Sequence, residues 1–186
     1  VNYTVRLRSD FQADPFDFFQ SLMTYHENEY AAYIETDAFA ICSASPELFF
    51  SLDGRKLLSK PMKGTAPRGS TLEEDKKNMD WLHHSIKNRA ENVMIVDMIR
   101  NDMGRIALPG TVEVPKLFEV EKYPTVLQMT TTVVSETESA ITDIIQSLFP
   151  CSSITGAPKT STMKIINDLE PDPRNIYTGS IGYISP

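Results

Sequence analysis

The sequence predicts an α+β fold built largely on antiparallel sheets. Strand-like stretches come in adjacent groups, separated by helical stretches that do not alternate with them one for one, which is the pattern of antiparallel sheets with helices packed to the side. Asp53-Gly54, set between two such stretches, is a two-residue turn signal, because a type I′ hairpin needs positive φ at both central positions.

Taken in order, residues 1–8 alternate like a strand, and residues 14–25 carry Phe16, Phe19, Leu22 and Met23 on one helical stripe. Strand patterns follow at 30–35, 39–43, 47–52 and 55–60, the last two forming a hairpin across Asp53-Gly54. Residues 61–70 mix Pro, Gly, Thr and Arg and are read as a functional loop. From residue 71 to about 103 the helical period returns, with Met79, Leu82 and Ile86 marking one helix and Val93, Met94, Ile95, Met98 and Ile99 the next. A break falls near 87–89, and Gly104 is placed as the C-terminal cap. Strands are predicted at 111–114, 125–134 and 177–184. Ile141, Ile144, Ile145 and Leu148 outline a helix stopped by Pro150; Met163, Ile166 and Leu169 outline another, with Pro158 in its first turn. The Met and aromatic stripes are read as core, and residues 1–186 as one domain truncated at both ends, since the chain lacks an initial Met and stops just after a strand-like run.

Composition narrows the function. The 186 residues are 41% hydrophobic, enough for a sizeable core. A formal charge of −7 argues against a sequence-independent grip on nucleic acid or anionic lipid, so an anionic substrate needs a local cation or a metal. Two cysteines, Cys42 and Cys151, are too few for a disulfide scaffold, and with His26, His83 and His84 they show no metal-ligand spacing. No apolar run approaches the ~18 residues that span a bilayer, and no charged-then-apolar leader opens the chain. A cytoplasmic protein with no membrane or nucleic-acid partner is expected.

Several residues stand out chemically. Lys63, before Gly64-Thr65, sits where an anion can approach backbone N–H groups closely, glycine having no side chain in the way. A solvated lysine is the more ordinary reading; a lysine in a closed cleft becomes a nucleophile. With Asp53-Gly54 as the hairpin loop, Glu47 falls opposite Lys60, and Lys63 has the wrong parity for that face unless Pro61 interrupts the ladder. Strand pairing alone therefore selects Lys60 and makes Glu47 a cross-strand ion pair. Glu91 shares a helical face with Met94, Ile95 and Met98, and a carboxylate in an apolar stripe needs either Mg²⁺ or a neighbouring Arg. Asp97 and Arg100 read as an intrahelical pair. Ser152-Ser153-Ile154-Thr155-Gly156 ahead of a helix suits either a bound carboxylate or a simple cap. The histidines read as structural.

Together these segments resemble the chorismate-utilising enzymes, most closely the branch that makes aminodeoxychorismate. The resemblance rests on S-P-E-L-F-F at 45–50, K-P-M-K-G-T at 60–65, R-A-E-N-V-M-I-V-D-M-I-R-N-D-M-G-R at 89–105, V-P-K-L-F-E-V-E-K-Y-P-T-V at 114–126, S-I-T-G-A-P-K at 153–159 and G-S-I-G-Y-I-S at 179–185. It implies a two-layer sandwich of antiparallel sheets flanked by helices, incomplete in this chain, with the site in a cleft between the layers. It implies that an arginine strand, a glycine-rich carboxylate cradle and a second Mg²⁺ glutamate follow Pro186, and that the fragment alone is inactive.

The residue before Gly-Thr separates the branches: anthranilate synthases typically carry alanine there, the aminodeoxychorismate branch lysine. The resemblance thus implies that Lys63 attacks C2 of chorismate while Glu47, as general acid, protonates the departing C4 hydroxyl. Ammonia from a glutamine amidotransferase subunit then aminates C4, on the route to 4-aminobenzoate and folate. Mg²⁺ held through Glu91 would bind the ring carboxylate, and Gly64, Thr65, Gln128, Ser153, Thr155 and Gly156 would contact the substrate. Gln128 replaces a histidine common in the family; it hydrogen-bonds but does not exchange a proton near neutral pH, which disfavours pyruvate elimination. The competing expectations are anthranilate or isochorismate/salicylate synthesis and, outside enzymes, an inactive relative or fragment that only binds a partner or ligand.

Overall fold

The computed structural model describes residues 1–25 and 29–185. Its elements run α1 (Pro15–Tyr25), β1 (Tyr30–Glu35), β2 (Ala40–Ser45), β3 (Leu48–Asp53), β4 (Lys56–Lys60), β5 (Met62–Pro67), α2 (Leu72–His84), α3 (Ile86–Gly104), β6 (Glu113–Lys122), β7 (Val126–Glu136), α4 (Ile141–Leu148), α5 (Ser152–Thr155) and α6 (Lys159–Leu169). The fold is α+β. β1 and β2 pair antiparallel as a two-stranded sheet, while a five-stranded antiparallel sheet is organised around β7.

β7 is the axis of the larger sheet because one of its sides is shared. β4 pairs along one half of it, from Lys56↔Glu136 to Ser59↔Val133, and β5 along the other, from Met62↔Thr130 to Pro67↔Val126. The register runs unbroken through Pro61, whose carbonyl accepts the Thr131 N–H at 3.2 Å. Proline lacks only the donor, so it can stand in this ladder. β6 covers the opposite side of β7. What the sequence presents as a loop at 61–70 is therefore largely a strand, and the strand predicted at 111–114 extends to Lys122.

The sheet buries two adjoining apolar clusters. Leu57 and Val133 pack with Ile95, Val96, Ile99 and Met103 of α3 and with Ile144 and Leu148 of α4. Leu127, Met129 and Ala66 pack with Leu82 of α2 and Phe118 of β6. Ser85 separates the two central helices, closing α2 and capping α3 through the Asn88 N–H. The predicted break thus falls slightly earlier than 87–89. Gly104 is the last helical residue rather than the cap, which is Arg105 in right-handed geometry. Pro158 stands one position ahead of α6, as its N-cap.

Several stripes read as core are not buried: Phe16, Met94 and Met163 are all exposed, as are Ile86 and Leu169. The two core clusters instead draw on Leu82 of α2, on Ile95, Val96, Ile99 and Met103 of α3, and on Ile144 and Leu148 of α4. Residues 1–8 form no strand. Asn2 N–H donates to the Thr155 carbonyl (2.9 Å), Thr4 N–H to the Glu170 carboxylate (3.0 Å), and Arg8 pairs with Asp172 at 3.0 Å. The segment is thus bonded to α5 and the chain after α6. Residues 177–184 also lack a ladder; turn bonds and positive φ at Asn175 and Thr178 interrupt extended structure there. The hairpin loop is Gly54-Arg55, because Asp53 pairs with Lys56. Positive φ falls on Gly54 alone (57°), as a Gly-X two-residue turn requires.

His83 Nδ1 contacts the Phe118 carbonyl at 2.9 Å and His84 pairs with Asp80, while His26 lies outside the described residues. Asp97 and Arg100 form the expected pair at 2.9 Å. Among the described residues no helix is long and apolar enough to cross a membrane.

Two outcomes follow from this packing. Leu57→Ala empties a fully buried position between α3 and β7 and should cost about 2–5 kcal/mol, read from chemical denaturation of the full-length protein. Asp75 is buried, with Arg68 Nε and Nη2 donating to its two oxygens at 2.8 and 3.0 Å and the Gly69 N–H adding a third bond. The Arg68 hydrogen bonds, before any other cause, hold its carboxyl well below the usual range. The folded value lies below the unfolded one, so the stabilisation is complete above the unfolded value of about 4 and is lost as pH falls below it. The urea midpoint should drop over that acid window, and by less in Asp75→Asn.

Candidate active site

The site begins with a fault in a strand. Between Met62↔Thr130 and Thr65↔Gln128, β5 advances three residues while β7 advances two. Lys63 and Gly64 together oppose one residue of β7, a β-bulge, which leaves a residue unpaired and re-aims side chains. Gly64 has φ +102° there, and a Cβ on it would lie 3.0 Å from Asn88 Cβ and 3.2 Å from Met129 Cβ. Only glycine lets α3 and β7 close on this point. Asn92, buried on α3, donates to the Lys63 carbonyl at 3.4 Å and accepts from Thr131 Oγ1 at 2.6 Å, tying the bulge to helix and sheet.

Lys60 and Lys63 consequently part company. Lys60 is drawn into an ion pair with Glu121, whose Oε1 also accepts from Thr130 Oγ1 at 3.0 Å. Its cross-strand neighbour is Leu48, not Glu47: the loop at Gly54-Arg55 sets a register that would bring Phe49 opposite Lys60, and the shift between Leu48 and Ser51 moves the partner by one residue to Leu48. The Glu47–Lys60 ion pair expected from strand pairing does not form.

Glu47 lies just ahead of β3 and is directed instead toward Lys63 and Ser153. Burial raises its pKa, opposed in turn by the Ser153 side chain, the Lys63 charge and the Met62 N–H. Burial prevails, so a proton is held more tightly here than on an ordinary glutamate. Its Oε1 is buried without a hydrogen-bond partner. Such an atom carries a desolvation cost that a ligand donor or acceptor would relieve.

The rest of the cluster comes from distant sequence. Lys63 Nζ donates to Asn2 Oδ1 at 3.4 Å, and the Asn2 side-chain amide donates to the Ser153 carbonyl. Arg174 holds Asn2 in turn through its backbone carbonyl at 2.6 Å while paired with the buried Glu170. Ser153 Oγ lies 3.1 Å from Cys151 Sγ, and burial, then the Glu47 charge, pushes that thiol up.

The other predicted contacts divide. Thr65 and Gln128 are cross-strand partners joined side chain to side chain at 3.0 Å. Strand alternation puts Gln128 on the opposite face of β7 from Met129. Thr155 and Gly156 close the single turn of α5, and Thr155 Oγ1 donates to the Cys151 carbonyl at 3.0 Å. Glu91 pairs with Lys87 at 3.7 Å on its own helix and is half exposed; Met94 beside it is exposed too, so the apolar stripe drawn around this carboxylate is only partly real.

Among the described residues no three His, Cys, Asp or Glu gather as metal ligands. Glu91 alone is a hard oxygen donor with a weak exposed competitor, which fits Mg²⁺, an ion that takes one or two carboxylates with water and an anionic ligand. Asn2 and Asn92 are site residues that the sequence analysis does not single out. Asn92 falls inside the motif at 89–105, but nothing in the sequence marks Asn2.

The comparisons agree with one another. A family model described as chorismate binding enzyme matches residues 1–186. The aminodeoxychorismate synthase component 1 of Salmonella typhimurium is 41% identical over 187 residues, covering 100% of this chain and 41% of that protein. That of Bacillus subtilis is 42% identical over 185 residues, covering 98% and 39%. The crystal structure of anthranilate synthase component I from Streptococcus pneumoniae superposes with a TM-score of 0.85 at 32% identity, over 94% of this chain and 39% of that one. This chain thus spans about two fifths of the length of the curated relatives it matches.

Gly64→Ala should be the most damaging small substitution at the bulge. It meets both the positive-φ penalty of about 1–2 kcal/mol and two neighbouring Cβ atoms, whereas Gly54→Ala meets the first in open space. Denaturation midpoints of the two variants should differ in that order.

Proposed function

The chain belongs to the chorismate binding enzyme family, and on that premise we propose that the protein it forms part of aminates chorismate at C4 to give 4-amino-4-deoxychorismate. The observation that carries this reading is the Lys63 ammonium standing within electrostatic reach of the part-buried carboxyl of Glu47, whose Oε1 has no hydrogen-bond partner. The names of relatives over 40% identical support the same branch.

The pair supplies both reagents of the first displacement. A proton passing from Lys63 Nζ to Glu47 leaves a free amine beside a neutral acid. Nζ bonds to C2, the two ring double bonds each shift one position toward C4, and the C4–O bond breaks. Glu47 delivers its proton to that oxygen, so water rather than hydroxide departs. Ammonia then bonds to C4, the double bonds shift back, and the C2–N bond breaks to release Lys63. The new ammonium returns a proton to the pair. One difficult exchange becomes two easier ones.

Glu91 would hold Mg²⁺, which when bound offsets the charge of the substrate's ring carboxylate. Gly64, Thr65, Gln128, Ser153, Thr155 and Gly156 would contact the substrate. Gln128, its amide oxygen occupied by Thr65, offers no proton acceptor for pyruvate elimination. Ammonia from a glutamine amidotransferase subunit and a cytoplasmic setting complete the proposal.

The full-length protein, incubated with chorismate, Mg²⁺ and ammonium, should yield aminodeoxychorismate, with a covalent adduct seen by mass spectrometry of the quenched enzyme. Lys63→Ala should abolish the adduct and Lys60→Ala should retain it, while Glu47→Gln should slow turnover by about 100-fold or more. Anthranilate as the main product, or an adduct lost only in Lys60→Ala, would refute the assignment.

A further inference from the structure

We propose that the Asp102–Lys159 ion pair is the positioning device of this site, fixing α5 against the end of α3 and so holding the Ser153 hydroxyl beside Glu47. The inference rests on the reading of Glu47 as the proton-transfer group. α5 is a single turn with no side-chain cap. A helix of that length does not hold its own shape or direction, because a first turn orders several residues for very few bonds. Its placement must come from outside.

Asn2 and Arg174 bond the backbone carbonyls of α5 from one side; the bonds from the other side converge on Asp102, buried at the last turn of α3. Lys159 Nζ, from the first residue of α6, donates to Asp102 Oδ2 at 2.5 Å and to the Leu148 carbonyl at the end of α4 at 3.1 Å. Ser152 Oγ, in α5 itself, donates to the same Oδ2 at 3.4 Å. Ser147 Oγ donates to the Asp102 carbonyl at 2.6 Å. α5 and the residue that opens α6 are thus tied to the Asp102 carboxylate, the end of α4 to the Asp102 carbonyl and to Lys159, and Ser153 follows the pinned Ser152 directly. Phe49, two residues past Glu47, lines a small void of about 10 Å³ with Asp102, Cys151 and Ser152, so the strand bearing Glu47 rests on the same node.

A buried ion pair is weak evidence for stability, since apolar side chains of similar shape often serve as well. Neither Asp102 nor Lys159 touches Glu47, yet both control where its hydroxyl partner stands. The titratable groups around Glu47 are the Lys63 amine from β5 and the Cys151 thiol from the link before α5; those around Asp102 are Lys159 and, at 3.9 Å, Arg105.

Positioning and a direct field effect predict opposite results for one variant. If the pair acts by holding Ser153, Asp102→Asn and Lys159→Met both loosen α5, and both raise the midpoint at which Glu47 titrates. If the two charges act through space, removing the lysine raises that midpoint and removing the aspartate lowers it.

The experiment is carboxyl-carbon NMR of isotope-labelled glutamate in the full-length protein, with the Glu47 signal assigned by its loss in Glu47→Gln. Ser153→Ala should raise the Glu47 midpoint by about one pH unit, the scale of one hydrogen bond to a charged acceptor. Asp102→Asn and Lys159→Met should shift it in the same direction, while Lys159→Arg, which keeps the pair, should stay near the parent value. Circular dichroism identifies a variant that fails to fold, and the other then decides. Shifts of opposite sign, or unmoved midpoints in folded variants, would overturn the inference. The titration needs no substrate, so it stands apart from the product assay: a parent protein that makes no aminodeoxychorismate defeats the function reading and leaves this result readable.

Discussion

The arrangement of the candidate site depends on one extra residue in a strand. β4, Pro61 and β5 form a nearly continuous edge along β7, and the register survives the proline but slips at Lys63 and Gly64. Without that slip the lysine side chain would follow strict alternation and the backbone could not pass so close to α3. Lys60 shows the contrast, being a similar amine three residues earlier that meets Glu121 and is fully accounted for as an ion pair. The local cost of a positive φ and an interrupted ladder is offset by the close packing of Asn88, Asn92 and Met129 around the bulge.

The second constraint is dryness. Glu47 is part-buried, its Oε1 fully so and without a hydrogen-bond partner, and its neighbours include a cation and a hydroxyl that oppose but do not cancel the effect of burial. A carboxyl in that condition holds its proton more tightly than an ordinary glutamate, the direction of shift that a general acid needs. The same burial acts on Cys151. The ordinary ion pairs of the surface, such as Arg55–Glu138 and Lys116–Glu119, contribute little by comparison.

Much of this was legible in the sequence, and the failures are physical rather than accidental. Helix periods located α1, α3, α4 and α6, and the turn signal located the β3–β4 hairpin, because those patterns are local. The bulge was not legible: residues 61–70 have the composition of a loop, and their strand character comes from β7, some sixty residues away. Parity counting favoured Lys60 because it assumed an unbroken ladder and a loop at Asp53-Gly54. Both β3 and β5 depart from that. The motif resemblance singled out Lys63 without access to geometry. Asn2 was invisible to either route, since nothing in an opening Val-Asn-Tyr-Thr distinguishes an amide that reaches a lysine from one in a strand.

Asn2 joins Ser153 across a sequence separation of 151 residues, and Arg174 reaches back to the Asn2 carbonyl across 172. Such contacts are the slowest to form, because almost the entire loop must be closed before they return any energy. As the polypeptide leaves the ribosome, the β4–β7 sheet has all its strands long before residue 174 is made. Lys63 and Glu47 therefore acquire their full set of neighbours only after residue 174 has been made, and a nascent chain stalled before it carries the sheet without the completed candidate site.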